Sequence, residues 1–139
     1  MVIFSSRAEN ALKALACMPG KNKGQWVRAS EISKACGVPL PYLHKILNEL
    51  RRAGLTCAKR GYLGGVSLAR PAAEISLMDV ISVIDGENWK RRCLLSNTPC
   101  AESHRCAMHE FWERQRRDLA EELAGMTLDI YAGRELAHT

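Results

Sequence analysis

SEISKACGVPLPYLHKILNELRRAG, residues 30–54, decides the fold. Ser30 is suited to cap a helix, and Glu31 follows in the first turn, where a negative charge complements the helix dipole. This helix is short, Glu31 to Cys36, because Gly37 supplies a left-handed stop. Pro41 then fits the first turn of a second helix, where its missing N–H is not needed. Leu43, Ile46, Leu47 and Leu50 fall at i, i+3, i+4 and i+7, forming one apolar stripe, and Gly54 ends the run. Two short helices joined by a tight glycine-containing turn predict a helix-turn-helix, whose second helix reads DNA. The face away from the stripe carries Tyr42, His44, Lys45, Asn48, Arg51 and Arg52, groups suited to base edges and phosphates. Taken alone, such a face is as compatible with plain solvation.

The flanking residues favour a nucleic-acid partner. Downstream, Leu55 to Arg60 is extended and amphipathic, Gly61-Tyr62-Leu63-Gly64-Gly65 is a turn, and Val66-Ser67-Leu68 returns before Pro71. A helix-turn-helix followed by a β-hairpin is a winged helix, with Arg60 at the hairpin tip placed to enter a minor groove. The glycine-rich turn joins two strands and opens no helix, so it is no phosphate-cradling loop. Upstream, Ala8, Ala11, Leu12, Leu15 and Ala16 recur at helical spacing from Ser6 to Met18. Pro19-Gly20 should stop that helix, Lys21 to Gly24 form a polar turn, and Gln25-Trp26-Val27 is extended. The expected fold is mainly α with a small β-hairpin. Its candidate DNA contacts are Arg28, Ser30, Pro41, Tyr42, His44, Lys45, Asn48, Arg51, Arg60 and Gly61.

Charge divides along the chain in the same way. Of the 139 residues, the first 70 hold twelve Lys and Arg against three Asp and Glu, and the rest hold eight against twelve. A basic first half and an acidic second half suggest that only the first half meets a polyanion. With 47% hydrophobic and 25% charged residues the composition is that of an ordinary soluble domain. No apolar run reaches transmembrane length and no signal-peptide pattern opens the chain, which reads as cytoplasmic. No Ser-His-Asp order, nucleotide loop or paired carboxylates suggest an enzyme, and no small-molecule substrate is expected.

The second half begins with Ser76 and Asp79 as a capping-box variant that opens a helix through Ile84, closed by Asp85-Gly86. Six cysteines in a reducing compartment are buried fillers, metal ligands or redox thiols rather than disulfides. Cys17, Cys36 and Cys57 stand singly and read as core fillers. Cys93, Cys100, Cys106 and His109 follow the pattern Cys-x6-Cys-x5-Cys-x2-His, flanked by Arg91, Arg92 and Arg105. Cys106 and His109 are one helical turn apart and can face one site. Thiolate-rich sites select iron–sulfur clusters, zinc or copper(I). The tight knuckles of structural zinc sites and the close cysteine run of ferredoxins are both missing. A metal site, a thiol switch and idle cysteines are the readings this spacing leaves open. From Cys106 to Tyr131 the chain reads as one long helix, with Trp112, Leu119, Leu123, Met126 and Ile130 on its apolar side. Glu113, Arg114, Arg116, Arg117, Glu121 and Glu122 mark its polar side. Such a stripe exceeds what so small a domain can cover, so pairing with a second copy is expected, with a helix folded back on its own winged helix as the alternative.

Taken together, the chain resembles the Rrf2 family of winged-helix iron–sulfur regulators over nearly its whole length. The likeness is carried by residues 8–15 and 30–38, by Tyr42-Leu43, Leu47, Leu50-Arg51, Ala53-Gly54-Leu55, Arg60-Gly61, Gly64-Gly65 and Asp79-Val80-Ile81, and by the three clustered cysteines. The resemblance implies a homodimer with crossed C-terminal helices that binds a palindromic operator on double-stranded DNA, more often as a repressor. It implies that Cys93, Cys100 and Cys106 ligate an iron–sulfur cluster sensing redox state, nitric oxide or iron status. The Cys-x2-His ending is similar to the IscR type, which makes His109 the fourth ligand of a [2Fe–2S] cluster, with [4Fe–4S] as the alternative. In other members an acidic residue of the first helix serves instead, here Glu9 of the partner subunit. Two positions depart from the IscR type: the first cysteine interval holds six residues rather than five, and His44 replaces a glutamate involved in operator choice. Residues 1–72 are expected to form the DNA-binding region, and 73–139 the cluster loop and dimerisation helices. A structural zinc or a thiol redox switch in place of the cluster is the competing expectation.

Overall fold

Ser5 both starts the first helix and fixes where it points. Its hydroxyl accepts the Ala8 amide at 3.1 Å, capping helix α1, Ser6–Ala16. Its own amide donates to the Asp85 carboxylate at 2.7 Å. Asp85 is the last residue of helix α4, Leu77–Asp85, so the two helix ends are tied together. The computed structural model describes residues 3–18, 25–95, 99 and 106–137. The expected stop at Pro19-Gly20 and the turn from Lys21 to Gly24 lie outside them. Ala8, Ala11 and Ala14 are buried on α1, and these short side chains let α3, α4 and the last helix come close.

Helix α2, Ala29–Cys36, ends at Gly37 with φ 76°, the left-handed stop read from the sequence. The Ser33 hydroxyl donates to the Val38 carbonyl at 2.6 Å and closes the turn into helix α3, Leu40–Arg52. On α3 the stripe of Leu43, Ile46, Leu47 and Leu50 is buried. Each such side chain contributes roughly 1.5–3 kcal/mol by leaving water. One local expectation fails here. Arg28, extended at φ −70° and ψ 141°, is the residue that precedes α2, and Ser30 lies inside the first turn. The cause is long-range: Val27 is paired with Val66, so the chain stays extended up to the helix start.

Strands β1, Thr56–Lys59, and β2, Gly65–Leu68, form an antiparallel hairpin in which Thr56 faces Leu68 and Lys59 faces Gly65. The Thr56 hydroxyl donates to the Leu47 carbonyl at 3.2 Å, joining the hairpin to α3. Thr56 is the one buried residue of β1, and Cys57 is exposed. Cys57 is therefore no core filler, because successive side chains of a strand point to opposite faces and Thr56 takes the buried one. Cys17 and Cys36 are half-buried, and Cys36 packs against the core.

The C-terminal half corrects a larger expectation. In place of one helix from Cys106 to Tyr131 there are two, α5, His109–Gly125, and α6, Leu128–Ala137. Met126 between them is extended, with ψ 116°. Its carbonyl accepts the Leu77 amide at 2.9 Å, and the Leu128 amide donates to the Ile75 carbonyl at 2.7 Å. These two bonds replace the helical ones lost at the break. Leu128 and Ala132 are fully buried, with α6 folded back on α1, a gain that a straight helix would forfeit. The capping box at Ser76 is present: its hydroxyl accepts the Asp79 amide and the Asp79 carboxylate accepts the Ser76 amide, each at 3.0 Å. The fold is a mainly helical winged helix-turn-helix. Among the described residues no helix is long and apolar enough to cross a membrane.

Candidate functional site

The stripe that buries α3 turns its other face outward between two clefts. The first, about 480 Å³, is lined by Arg28, Ser30, His44, Asn48, Arg51 and Gly61, with Lys59 from the wing. The second, about 460 Å³ on the α1 side, is lined by Tyr42 and Lys45 with Arg7 and Arg52. Pro41 and Arg60 are exposed and line neither cleft. The structure thus gathers six of the ten expected DNA contacts in one concavity and three in the other, Asn48 lining both.

Within this surface several groups are held in place. Arg28 donates from Nη2 to the Tyr62 carbonyl at 3.0 Å, bracing the wing tip against the start of α2. Arg51 donates to the Asn48 side-chain oxygen at 2.6 Å, which orients both toward the first cleft. Lys59 Nζ lies 5.8 Å from the centre of the Trp26 ring, within cation–π range. Arg7 is paired with Glu49 across α1 and α3. Sequence reasoning missed Lys59 and Arg7. Lys59 was discoverable as the cation beside Arg60. Arg7 needed the packing of α1 against α3, which no local pattern carries.

The cysteine region is built on α5. Cys93 is buried, and its Sγ lies 3.7 Å from Sγ of Cys106, thirteen positions along the chain. A disulfide needs about 2.05 Å, so the pair is not bonded. Two sulfurs on one tetrahedral metal, each about 2.3 Å from it, stand about 3.8 Å apart. The described part of the donor set therefore fits a metal–thiolate site. Cys100 lies outside the described residues. His109 opens α5, is 8% exposed, and has Nε2 3.8 Å from the Glu113 carboxylate. Among the described residues no three His, Cys, Asp or Glu side chains are gathered as metal ligands, so His109 is not grouped with the two sulfurs. Glu9 is exposed on α1 and paired with Lys13 at 3.0 Å.

The segment before Cys93 is anchored from two sides. Trp89 is buried and meets Phe4 edge to face, with ring centres 5.3 Å apart. From α5, Trp112 Nε1 donates to the Arg92 carbonyl at 2.8 Å, and Arg116 Nη1 donates to the Lys90 carbonyl at 2.6 Å. Arg116, expected on the polar face of the helix, is buried at 8% exposure. The correction has a packing cause: the 88–90 turn folds onto α5 and covers that position.

Known proteins match this chain throughout. The family model for Rrf2, iron-dependent transcriptional regulator, matches residues 4–132. The transcriptional regulator IscR of Cronobacter sakazakii is 30% identical over 130 residues, covering 94% of this chain and 77% of that protein. Among solved structures, CymR, the global cysteine regulator of B. subtilis, superposes with a TM-score of 0.80 at 25% identity, covering 96% of this chain and 98% of that one. IscR of T. potens superposes with a TM-score of 0.68 at 25% identity, covering 94% and 86%.

Proposed function

The chain belongs to the Rrf2 family of transcriptional regulators, and from that premise we propose that it is a repressor whose operator affinity is set by a metal–thiolate site at Cys93, Cys100 and Cys106. Its relatives are regulators of transcription and not enzymes. The carrying observation is that Cys93 and Cys106 meet at 3.7 Å, with Cys106 three residues ahead of α5, the helix that the family resemblance assigns to dimerisation.

In this reading residues 1–72 bind DNA and 73–139 sense and dimerise, in the cytoplasm. The first cleft lies over a major groove, with His44, Asn48 and Arg51 toward base edges. Arg28, Ser30, Tyr42 and Lys45 hold phosphates, Pro41 makes apolar contact beside them, and Arg60 and Gly61 approach the minor groove. Two such heads, related by a two-fold axis, match a palindromic operator. Cys93, Cys100 and Cys106 supply three ligands to an iron–sulfur cluster, [2Fe–2S] with His109 or [4Fe–4S], and Glu9 of the partner subunit is the other candidate for the fourth position. When bound, the cluster supplies a redox- and nitric-oxide-sensitive centre. Cys93 is joined to α5 through the Arg92 carbonyl and Trp112, so a change in ligation reaches the helix that sets the spacing of the reading heads.

A second reading keeps the DNA binding and makes the cysteines a zinc site or a thiol redox switch. The likeness to CymR of Staphylococcus aureus, solved in an oxidized form, favours the redox switch. Anaerobic purification separates the two, with visible absorbance and circular dichroism recorded and iron, sulfide and zinc assayed on one sample. Near-equal iron and sulfide, lost in Cys93→Ala, support the cluster. Zinc alone, or no metal after reconstitution, overturns it. Equal operator affinity with and without the cluster overturns the control mechanism.

A further inference from the structure

Arg116 presents an unsolved charge. Its side chain is 8% exposed, its described hydrogen bonds go to neutral carbonyls of Lys90 and Arg92, and its Nε has no partner. Among the described residues no carboxylate pairs with it. A buried guanidinium without a counter-charge is costly, and structures retain one where an anion is supplied.

The place where an anion arises is one residue away. The carbonyls that hold Arg116 belong to the segment ending at Cys93, and Cys93 Sγ is 3.7 Å from Cys106 Sγ. A divalent metal bound by three thiolates carries a net charge of −1. We infer that Arg116 is a positioning residue for the cysteine site: its guanidinium balances the charge of the metal–thiolate group while its bond to Lys90 locks the Cys93 segment onto α5. Trp112 completes the clamp through the Arg92 carbonyl. The arrangement gives the Cys93 side of the site its own mechanical link to α5, two turns beyond the start of the helix. The inference rests on the reading of these cysteines as metal ligands.

The test uses the full chain and cobalt(II) alone as probe, since its thiolate charge-transfer absorption reports sulfur ligation. Wild type, Arg116→Gln, Arg116→Lys and Trp112→Phe are titrated against a competing chelator, and the urea midpoint of each metal-free protein is recorded. Loss of a residue supporting ligands from behind typically costs about 10–100-fold in metal affinity. Arg116→Gln is expected to lose that much, and Arg116→Lys less, because it keeps the charge but not the planar fork. Trp112→Phe, which keeps the ring and removes the donor, should weaken cobalt about as much as Arg116→Lys. Equal cobalt affinity in wild type and Arg116→Gln, whatever the midpoints, overturns the inference. So does a loss in Arg116→Gln that Arg116→Lys does not partly restore. If wild type itself gives no thiolate band, the ligand reading fails separately. The clamp is then judged by a double-mutant cycle of Arg116→Gln with Cys93→Ser on the metal-free midpoints, where strict additivity overturns it.

Discussion

Val27 and Val66 exchange both of their backbone hydrogen bonds, at 2.9 and 2.7 Å, and so join the segment before α2 to the second strand of the wing. Neither residue is near the other in sequence. Their pairing sets the angle between wing and reading helices, because α2 starts two residues after Val27 and Gly65 sits directly before Val66. The first cleft is the space this pairing holds open.

Gly65→Ala should break that join. A Cβ at this position would stand 2.5 Å from the Val27 carbonyl oxygen, on a backbone with φ of +151°. Backbone strain of this kind costs roughly 1–3 kcal/mol, and the clash adds to it. The urea midpoint should fall and duplex affinity should fall with it. Gly64→Ala, whose Cβ would meet the Lys59 carbonyl oxygen at 2.1 Å, should behave alike. An unchanged midpoint in either variant contradicts the geometry.

Removing one cation from either cleft should act chiefly through the phosphates. For Lys45→Ala or Lys59→Ala, fluorescence anisotropy with a selected duplex should show weaker binding at every sequence tested. The slope of log affinity against log salt should shrink by about one. Asn48→Ala should instead relax base preference at one position, by about 1–3 kcal/mol between right and wrong base. A uniform loss across sequences for Asn48→Ala would assign it to the backbone.

Ser76→Ala removes the hydroxyl that accepts the Asp79 amide at 3.0 Å. A lost cap costs about 1 kcal/mol. The same residue pairs with Thr127 at the α5–α6 break through its backbone, which the substitution leaves intact. Urea unfolding should therefore show a single cooperative transition at lower midpoint. Two transitions would mean that α6 had come loose.

The cysteines should divide by burial. Cys57→Ser replaces an exposed side chain and should shift stability by no more than about 0.5 kcal/mol. It should leave iron and sulfide content as in wild type. Cys93→Ser and Cys106→Ser, which separate a pair 3.7 Å apart, should abolish the visible circular dichroism of the anaerobic protein. Metal content retained in both would remove these residues from the ligand set.

What the sequence determined alone was local or periodic. The α3 stripe, the Gly37 stop, the Ser76 capping box and the glycine turn of the hairpin all depend on residues within a few positions of one another, or on a period that one helix carries by itself. The candidate DNA-reading face followed, since it is what the stripe leaves over. What only the tertiary structure decided needed partners far along the chain. The long C-terminal helix broke at Met126 because Ile75 and Leu77 offered its backbone replacement bonds and α1 offered Leu128 a buried seat. Arg116 left the solvated face because the 88–90 turn folded over it, and Cys57 stayed outside because it points away from the face that buries Thr56. Spacing could mark Cys93 and Cys106 as candidates, but their meeting at 3.7 Å required α5 to hold the carbonyls that precede Cys93. Short-range hydrogen bonding and periodic burial are written in neighbouring residues. Which distant surfaces cover one another is settled only when the whole core is packed.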